Sequence, residues 1–214
     1  MKQKLKPKWH KLDSAGRMHG ISTPIIGLTG GIASGKSTVA QYLTGQGFCI
    51  ISADALVKKI YQKQDTVAYI SKEYPEVMKD GAIDFKSLRK IFFGNPVIQQ
   101  KIEQFIYARM KDAFLEEMKG QKNPEVLIYD VPLLFEKKLD QLVDVSICVY
   151  CPRSLQIKRL IKRDGIDEKM AEKILSTQMD IEQKRTRSDF TIENNTSIES
   201  AHQNVDRIMS EIFD

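Results

Sequence analysis

Residues 25–38 read Ile25-Ile26-Gly27-Leu28-Thr29-Gly30-Gly31-Ile32-Ala33-Ser34-Gly35-Lys36-Ser37-Thr38. The first five are short, apolar and closed by glycines, the pattern of a buried strand. From Gly30 to Ser37 the chain matches G-x-x-x-x-G-K-[ST] in full. A predicted helix then opens near Lys36, with Val39, Ala40 and Leu43 on one side. Strand, glycine loop and helix in that order make a cradle for phosphate. Backbone N–H groups must converge on phosphate oxygens, and a Cβ at the tight positions would obstruct that approach. The helix directs its positive end at the same anion. Lys36 adds a point charge for the β- and γ-phosphates, and the Ser37 hydroxyl is a ligand for Mg²⁺. Gly30, Gly31, Ile32, Ala33, Ser34, Gly35, Lys36, Ser37 and Thr38 are therefore the expected ATP-binding residues. The loop by itself suits a kinase, a GTPase or a motor ATPase. No Asn-Lys-x-Asp guanine signature occurs in the chain, and the 214-residue length with an inserted helical region favours a small-molecule kinase.

Outward from the loop, short β-rich runs alternate with longer helical ones. Phe48 to Ile51, Val126 to Tyr129, Val145 to Tyr150 and the weaker Asp189 to Ile192 complete a set of five strands. Continuous apolar strands separated by helices predict an α/β fold, a parallel sheet covered on both faces. Asn95-Pro96 reads as a helix cap followed by proline at the first helical position. Ile98, Ile102, Phe105 and Ile106 give that helix an apolar face, and Ile198, Ala201, Val205, Ile208 and Ile212 form a second stripe near the C-terminus. Between Ile51 and Val126 there are helical patterns and turns such as Asp80-Gly81, too long a stretch for a plain crossover. The expected division is a domain over 24–214 with a helical substrate-binding insertion at about 55–120. Residues 164–188, rich in charge, are expected to be a lid.

Ligands of open α/β sheets lie beyond the carboxyl ends of the strands. Asp54, Asp130 and Glu136 occupy such positions in the chain. Asp54 follows the second strand and is the preferred general base for an acceptor hydroxyl, with a helix cap as its structural alternative. Asp130 ends the third strand and resembles the carboxylate that holds Mg²⁺ opposite a phosphate loop. Phosphoryl transfer also needs cations around the developing charge. Arg159 and Arg163 are four apart on a predicted helix, so both project from one face. Cys148 and Cys151 have metal-like spacing without a second pair, and read as buried hydrophobes.

The formal charge of +5 is not spread over the chain. Residues 1–23 carry Lys2, Lys4, Lys6, Lys8, Lys11 and Arg17 against the single acid Asp13, which accounts for all of it. The expectation is a basic, solvated and flexible N-terminal extension on a neutral body, not a nucleic-acid-binding surface. Apolar residues at 42% and charged residues at 29% exclude a largely disordered chain. No uncharged apolar run approaches the roughly 18 residues of a membrane span. Three cysteines are too few and too odd for a disulfide framework, and point to the cytoplasm.

These residues together resemble one family, the dephospho-coenzyme A kinases. The resemblance runs from about Ile25 to the C-terminus and rests on Leu28 to Val39, Ala53-Asp54, Leu88-Arg89 and Phe93 to Pro96. It continues in Asp130-Val-Pro-Leu-Leu-Phe-Glu136, Lys158-Arg159, Arg163-Asp164, Gln178 and Asn194-Asn195. It implies a P-loop NTPase fold with a five-stranded parallel sheet, and ATP-dependent phosphorylation of the ribose 3′-hydroxyl of dephospho-coenzyme A. It further implies that Asp54 is the catalytic base, that Arg159 binds phosphate, and that Asn194 and Asn195 lie near the adenine. Arg163 is expected among the nucleotide contacts, and a monomer or weak homo-oligomer is the expected state. The sequence departs from the family pattern at Ala33, Ser52, Phe85 and Tyr107-Ala108. The last two keep open a kinase for another nucleoside-like hydroxyl. A nucleotide-gated protein gripping RNA through its basic tail is the alternative from a different class.

Overall fold

The computed structural model describes residues 4–121 and 124–214. Along the chain β1 (Ile25–Gly30) leads to α1 (Lys36–Gly45), β2 (Cys49–Ser52), α2 (Ala53–Gln62) and α3 (Gln64–Glu73). A short pair, β3 (Met78–Lys79) and β4 (Ala82–Ile83), precedes α4 (Phe85–Gly94) and α5 (Pro96–Lys119). Then come β5 (Leu127–Asp130), β6 (Val145–Tyr150), α6 (Arg153–Asp164), α7 (Glu168–Leu175), α8 (Ile181–Arg187), β7 (Phe190–Glu193) and α9 (Ile198–Ile212). The chain divides into two compact units, one of residues 1–52 with 121–214 and one of Ala53–Gly120.

The first unit is built on a five-stranded sheet in the order β2-β5-β1-β6-β7. Every pairing in it is parallel. All residues of β1, β5 and β6 are buried, as their largely apolar sequences require of strands covered on both faces. On one face Ile26, Leu28, Ile128, Ile147, Val149 and Ile192 pack against Val39 and Leu43 of α1 and Val205, Ile208 and Ile212 of α9. On the other, Cys148 and Tyr150 meet Ile181 of α8. Truncating a fully buried leucine such as Leu28 or Leu43 costs about 2–5 kcal/mol in a core of this kind. Of the C-terminal apolar stripe, Ile198 is exposed and the other four residues are buried.

Residues 4–22 do not form the expected solvated arm. Leu5 is buried and bridges to Phe213. The Lys6 ammonium donates to the Ser210 and Glu211 carbonyls at 2.9 and 3.3 Å, capping the negative end of α9. Trp9 lies edge-on to Phe190, with ring centroids 4.9 Å apart, and Lys11 pairs with Asp189. Arg17 is buried with Asp144: its Nε and Nη2 donate to the two carboxylate oxygens at 2.7 and 3.0 Å. The Ile25 N–H donates to the same carboxylate at 2.9 Å, at the start of β1. The basic residues Lys6, Lys11 and Arg17 thus hold partners 127 to 205 residues away, and no pattern local to the segment reveals them.

The second unit is helical, as expected, except for the β3–β4 hairpin. Asp80 and Gly81 form its turn with φ of +51° and +79°. Left-handed conformation at both central residues matches the twist of a tight hairpin, which explains the Asp-Gly pair. Asn95 caps α5 by accepting the Val97 and Ile98 N–H groups at 2.9 and 3.3 Å. Ile102, Ile106 and Phe114 of α5 are buried, together with Leu56 and Ile60 of α2. Phe105 stacks on Tyr69 with centroids 3.7 Å apart.

Candidate active site

The phosphate loop occupies the turn between β1 and α1, at the carboxyl end of the central strand. All three of its glycines are dictated by close approach, and a Cβ on Gly30 would collide with the Val149 carbonyl oxygen. Gly35 has φ +91°, and a Cβ there would collide with the Asn194 amide nitrogen. A Cβ on Gly31 would collide with the Gln156 amide nitrogen. Ala33 also takes a left-handed conformation, with φ +60°. For an L-residue that costs about 1–2 kcal/mol, so its surroundings must hold it there. They do. Ile32 and Ala33 pack on Ile157, Leu160, Ala171 and Leu175 of α6 and α7.

Side chains from three other segments grip the loop backbone. Gln156 of α6 donates to the Ile32 carbonyl at 2.7 Å, and the Ile32 N–H donates to the Gln178 amide oxygen at 3.1 Å. Asn194, just past β7, donates to the Ser34 carbonyl at 2.8 Å. Arg159 donates to the Ala33 and Ser34 carbonyls at 3.4 and 3.3 Å, and to the Asn194 carbonyl at 3.0 Å. With every one of these bonds in place, the N–H groups of Ala33, Gly35, Lys36 and Ser37 have no acceptor among the described residues. Uncommitted N–H groups at a helix start are what an anion needs.

Lys36, the first residue of α1, forms an ion pair with Asp130, the last residue of β5. Both side chains are 12% exposed. Parallel pairing of β1 with β5 sets Leu28 beside Asp130, so the strand register brings this carboxylate to the loop. Ser37 is exposed at the start of α1. A hydroxyl and a carboxylate are hard oxygen donors of the kind Mg²⁺ takes. No group of three or more His, Cys, Asp or Glu side chains able to hold a metal on its own occurs among the described residues.

Glu136, the third acid at a strand end, is committed elsewhere. Its Oε1 accepts the Met179 N–H at 2.9 Å and pairs at 2.8 Å with Lys184, which is fully buried. Lys184 also donates to the Pro132 carbonyl at 2.6 Å. The 164–188 segment is folded as α7, a turn and α8, with Ala171, Leu175 and Ile181 buried. Sequence reading overlooked the roles of Lys184 and Gln156. Gln156 is three residues before Arg159, one helical turn away on the same face, and that spacing is its only signal in the sequence.

The expected residues do not all converge. Arg159 is on the loop, whereas Arg163 is exposed and holds the neighbouring Asp164 carboxylate, with donor–acceptor distances of 2.7 and 2.9 Å. That guanidinium keeps the Asp164 carboxyl below its usual range. Asn194 is buried against the loop, but Asn195 is exposed and donates to Glu193 at 2.5 Å. Asp54 is exposed in the first turn of α2, which begins at Ala53, so it stands inside the helix and not at its cap. Cys148 and Cys151 are buried free thiols. Burial pushes the Cys148 thiol up to about 12. No helix among the described residues is long and apolar enough to cross a membrane.

The sequence signature of the dephospho-CoA kinases matches residues 24–200. The dephospho-CoA kinase of Fusobacterium nucleatum is 38% identical over 194 residues, which cover 90% of this chain and all of that protein. Among solved structures, that of TT1252 from Thermus thermophilus superposes with a TM-score of 0.80 at 26% identity, covering 88% of this chain and 97% of its own. The dephospho-CoA kinase from Campylobacter jejuni superposes with a TM-score of 0.61 at 28% identity, covering 89% and 98%. The matched span takes in the phosphate loop and every strand of the five-stranded sheet, and the Fusobacterium nucleatum relative is similar along its whole length: this chain belongs to the dephospho-CoA kinase family.

Proposed function

We propose that this protein transfers the γ-phosphate of ATP to the ribose 3′-hydroxyl of dephospho-coenzyme A, yielding coenzyme A and ADP. The observation that carries the reading is the Lys36–Asp130 pair beside a loop with free N–H groups, inside a chain that bears the dephospho-CoA kinase signature. The loop N–H groups and the Lys36 ammonium bind and orient the triphosphate. Arg159 shares the charge that spreads over the transferring phosphoryl oxygens, a role its bonds to the Ala33 and Ser34 carbonyls support. Ser37 and Asp130 would hold Mg²⁺, which when bound neutralises charge on the β- and γ-oxygens. Asp54 accepts the proton of the acceptor hydroxyl as the new bond to phosphorus forms. Its place two residues beyond the end of β2 and its exposure support that role over Asp130 and Glu136, whose carboxylates are engaged by lysines. Three cysteines, an odd and sparse set, support a reducing, cytoplasmic setting.

The test is ADP production with ATP, Mg²⁺ and dephospho-coenzyme A against a blank without acceptor, with the product's phosphate located by ³¹P NMR. Coenzyme A carrying a 3′-phosphate is expected. ADP release no faster than the blank would overturn the reading. Faster turnover of another nucleoside in an acceptor panel would favour the alternative suggested by Phe85 and Tyr107, both exposed.

A further inference from the structure

Gln156 is a buried polar side chain, 2% exposed, and is not itself among the expected site residues. Its amide nitrogen donates to the Ile32 carbonyl at 2.7 Å. That carbonyl belongs to the same peptide unit as the Ala33 N–H. A trans peptide is planar, so its C=O and N–H point in opposite directions. Whatever draws the Ile32 oxygen toward α6 turns the Ala33 hydrogen away from α6. The Ala33 N–H is one of the four loop donors without an acceptor among the described residues. On the other side of Ile32, its own N–H is held by the Gln178 oxygen at 3.1 Å, so the preceding peptide is fixed as well. Ala33 sits at φ +60°, where an L-residue does not rest unaided.

We propose that Gln156 is a positioning residue for phosphoryl transfer: by holding the Ile32 carbonyl it aims the Ala33 N–H at the phosphate oxygens of ATP. Asn194 does the same for the next donor, since the Ser34 carbonyl it holds shares a peptide with the Gly35 N–H. The loop therefore owes its donor geometry to side chains of α6 and of the segment after β7, and not to glycine content alone. A nest of N–H groups binds an anion only when consecutive donors face one concavity. A peptide free to rotate would present its carbonyl oxygen to the phosphate instead.

The proposal rests on the loop's binding ATP, and its test separates that premise from the choice of acceptor. In the wild-type protein, ADP titrated against ¹⁵N-labelled enzyme is expected to move the Ala33 and Gly35 amide protons downfield together. Gln156→Met keeps the side-chain volume and removes the donor. It is expected to abolish the Ala33 shift, to keep the Gly35 shift, and to lower kcat/KM for ATP about tenfold, with KM for dephospho-coenzyme A changed less than twofold. Gln156→Leu, a second apolar replacement, is expected to behave alike if Gln156→Met fails to fold. No Ala33 shift in the wild type, or a Gln156→Met enzyme with the wild-type shift and wild-type kcat/KM for ATP, would overturn the proposal. Failure of the wild type to phosphorylate dephospho-coenzyme A while the ADP shifts appear would count against the acceptor alone.

Discussion

Lys36 and Asp130 meet across two parallel strands: the lysine opens the helix after β1, and the carboxylate closes β5 beside it. The pair is largely buried, so removing either partner leaves the other's charge uncompensated. Asp130→Asn removes the lysine's partner and, on the proposed function, a Mg²⁺ ligand at once. The expected outcome is a fall in kcat of roughly 100-fold or more and a higher Mg²⁺ concentration for half-maximal rate, read from initial rates across a Mg²⁺ series. Lys36→Met is expected to lose at least as much.

Asp54→Asn keeps size and removes the proposed base. A loss of general base catalysis lowers kcat by about 10²–10⁴ with KM for ATP unchanged. Steady-state kinetics with both substrates varied would decide it, and a wild-type kcat would reassign the proton acceptor.

Arg159 bridges the loop to Asn194 through two nitrogens of one planar group. Lysine cannot reproduce that fork. Arg159→Lys should therefore resemble Arg159→Ala, with kcat reduced by about 10²–10³ and acceptor KM nearly unchanged. Arg163, exposed and paired to its neighbour, should tolerate alanine with less than about a twofold change in kcat.

The Arg17–Asp144 pair is buried, with side chains 6% and 0% exposed. Arg17→Leu leaves the aspartate uncompensated at the start of β1 and is expected to cost about 3–5 kcal/mol. In a chain of this length that lowers the thermal midpoint by about 6–20 °C. Calorimetry measures the shift, and kcat below the midpoint should stay at the wild-type value.

Burial pushes both the Cys148 thiol and the Tyr74 hydroxyl up to about 12. Their ordinary values are 9.0 and 10.0, so the folded state holds these protons more tightly than the unfolded chain. Stability from both is complete below pH 9 and declines as pH rises toward 12. A lower urea midpoint at pH 10.5 than at pH 8 is expected. At pH 8 a thiol reagent should leave Cys148 and Cys151 unmodified in the native protein and label all three cysteines in denaturant.

Much of this was legible in the amino-acid order because it is local. The strand–loop–helix at residues 25–45 carries its own period, its glycines and its lysine within one short span. Asn95-Pro96 and Asp80-Gly81 likewise declare a cap and a turn through neighbouring atoms. The family resemblance added roles for residues that such patterns do not link, and the sheet it implied is the sheet observed.

Tertiary structure alone decided which charges meet. The N-terminal lysines and arginine read as surplus cations, yet three of them have partners on α9, at Asp144 and at Asp189. Glu136 and Asp130 both stand at strand ends in the sequence, and packing gives each a different lysine, the buried Lys184 and Lys36 of the loop. Arg159 and Arg163 share a helix face, but only the first lies where α6 passes the loop. Gln156 had no visible reason to matter. Helical spacing tells which side chains point the same way, because that depends on covalent geometry. What they point at depends on long-range packing, and it is there that a glutamine and an arginine become the supports of a phosphate loop.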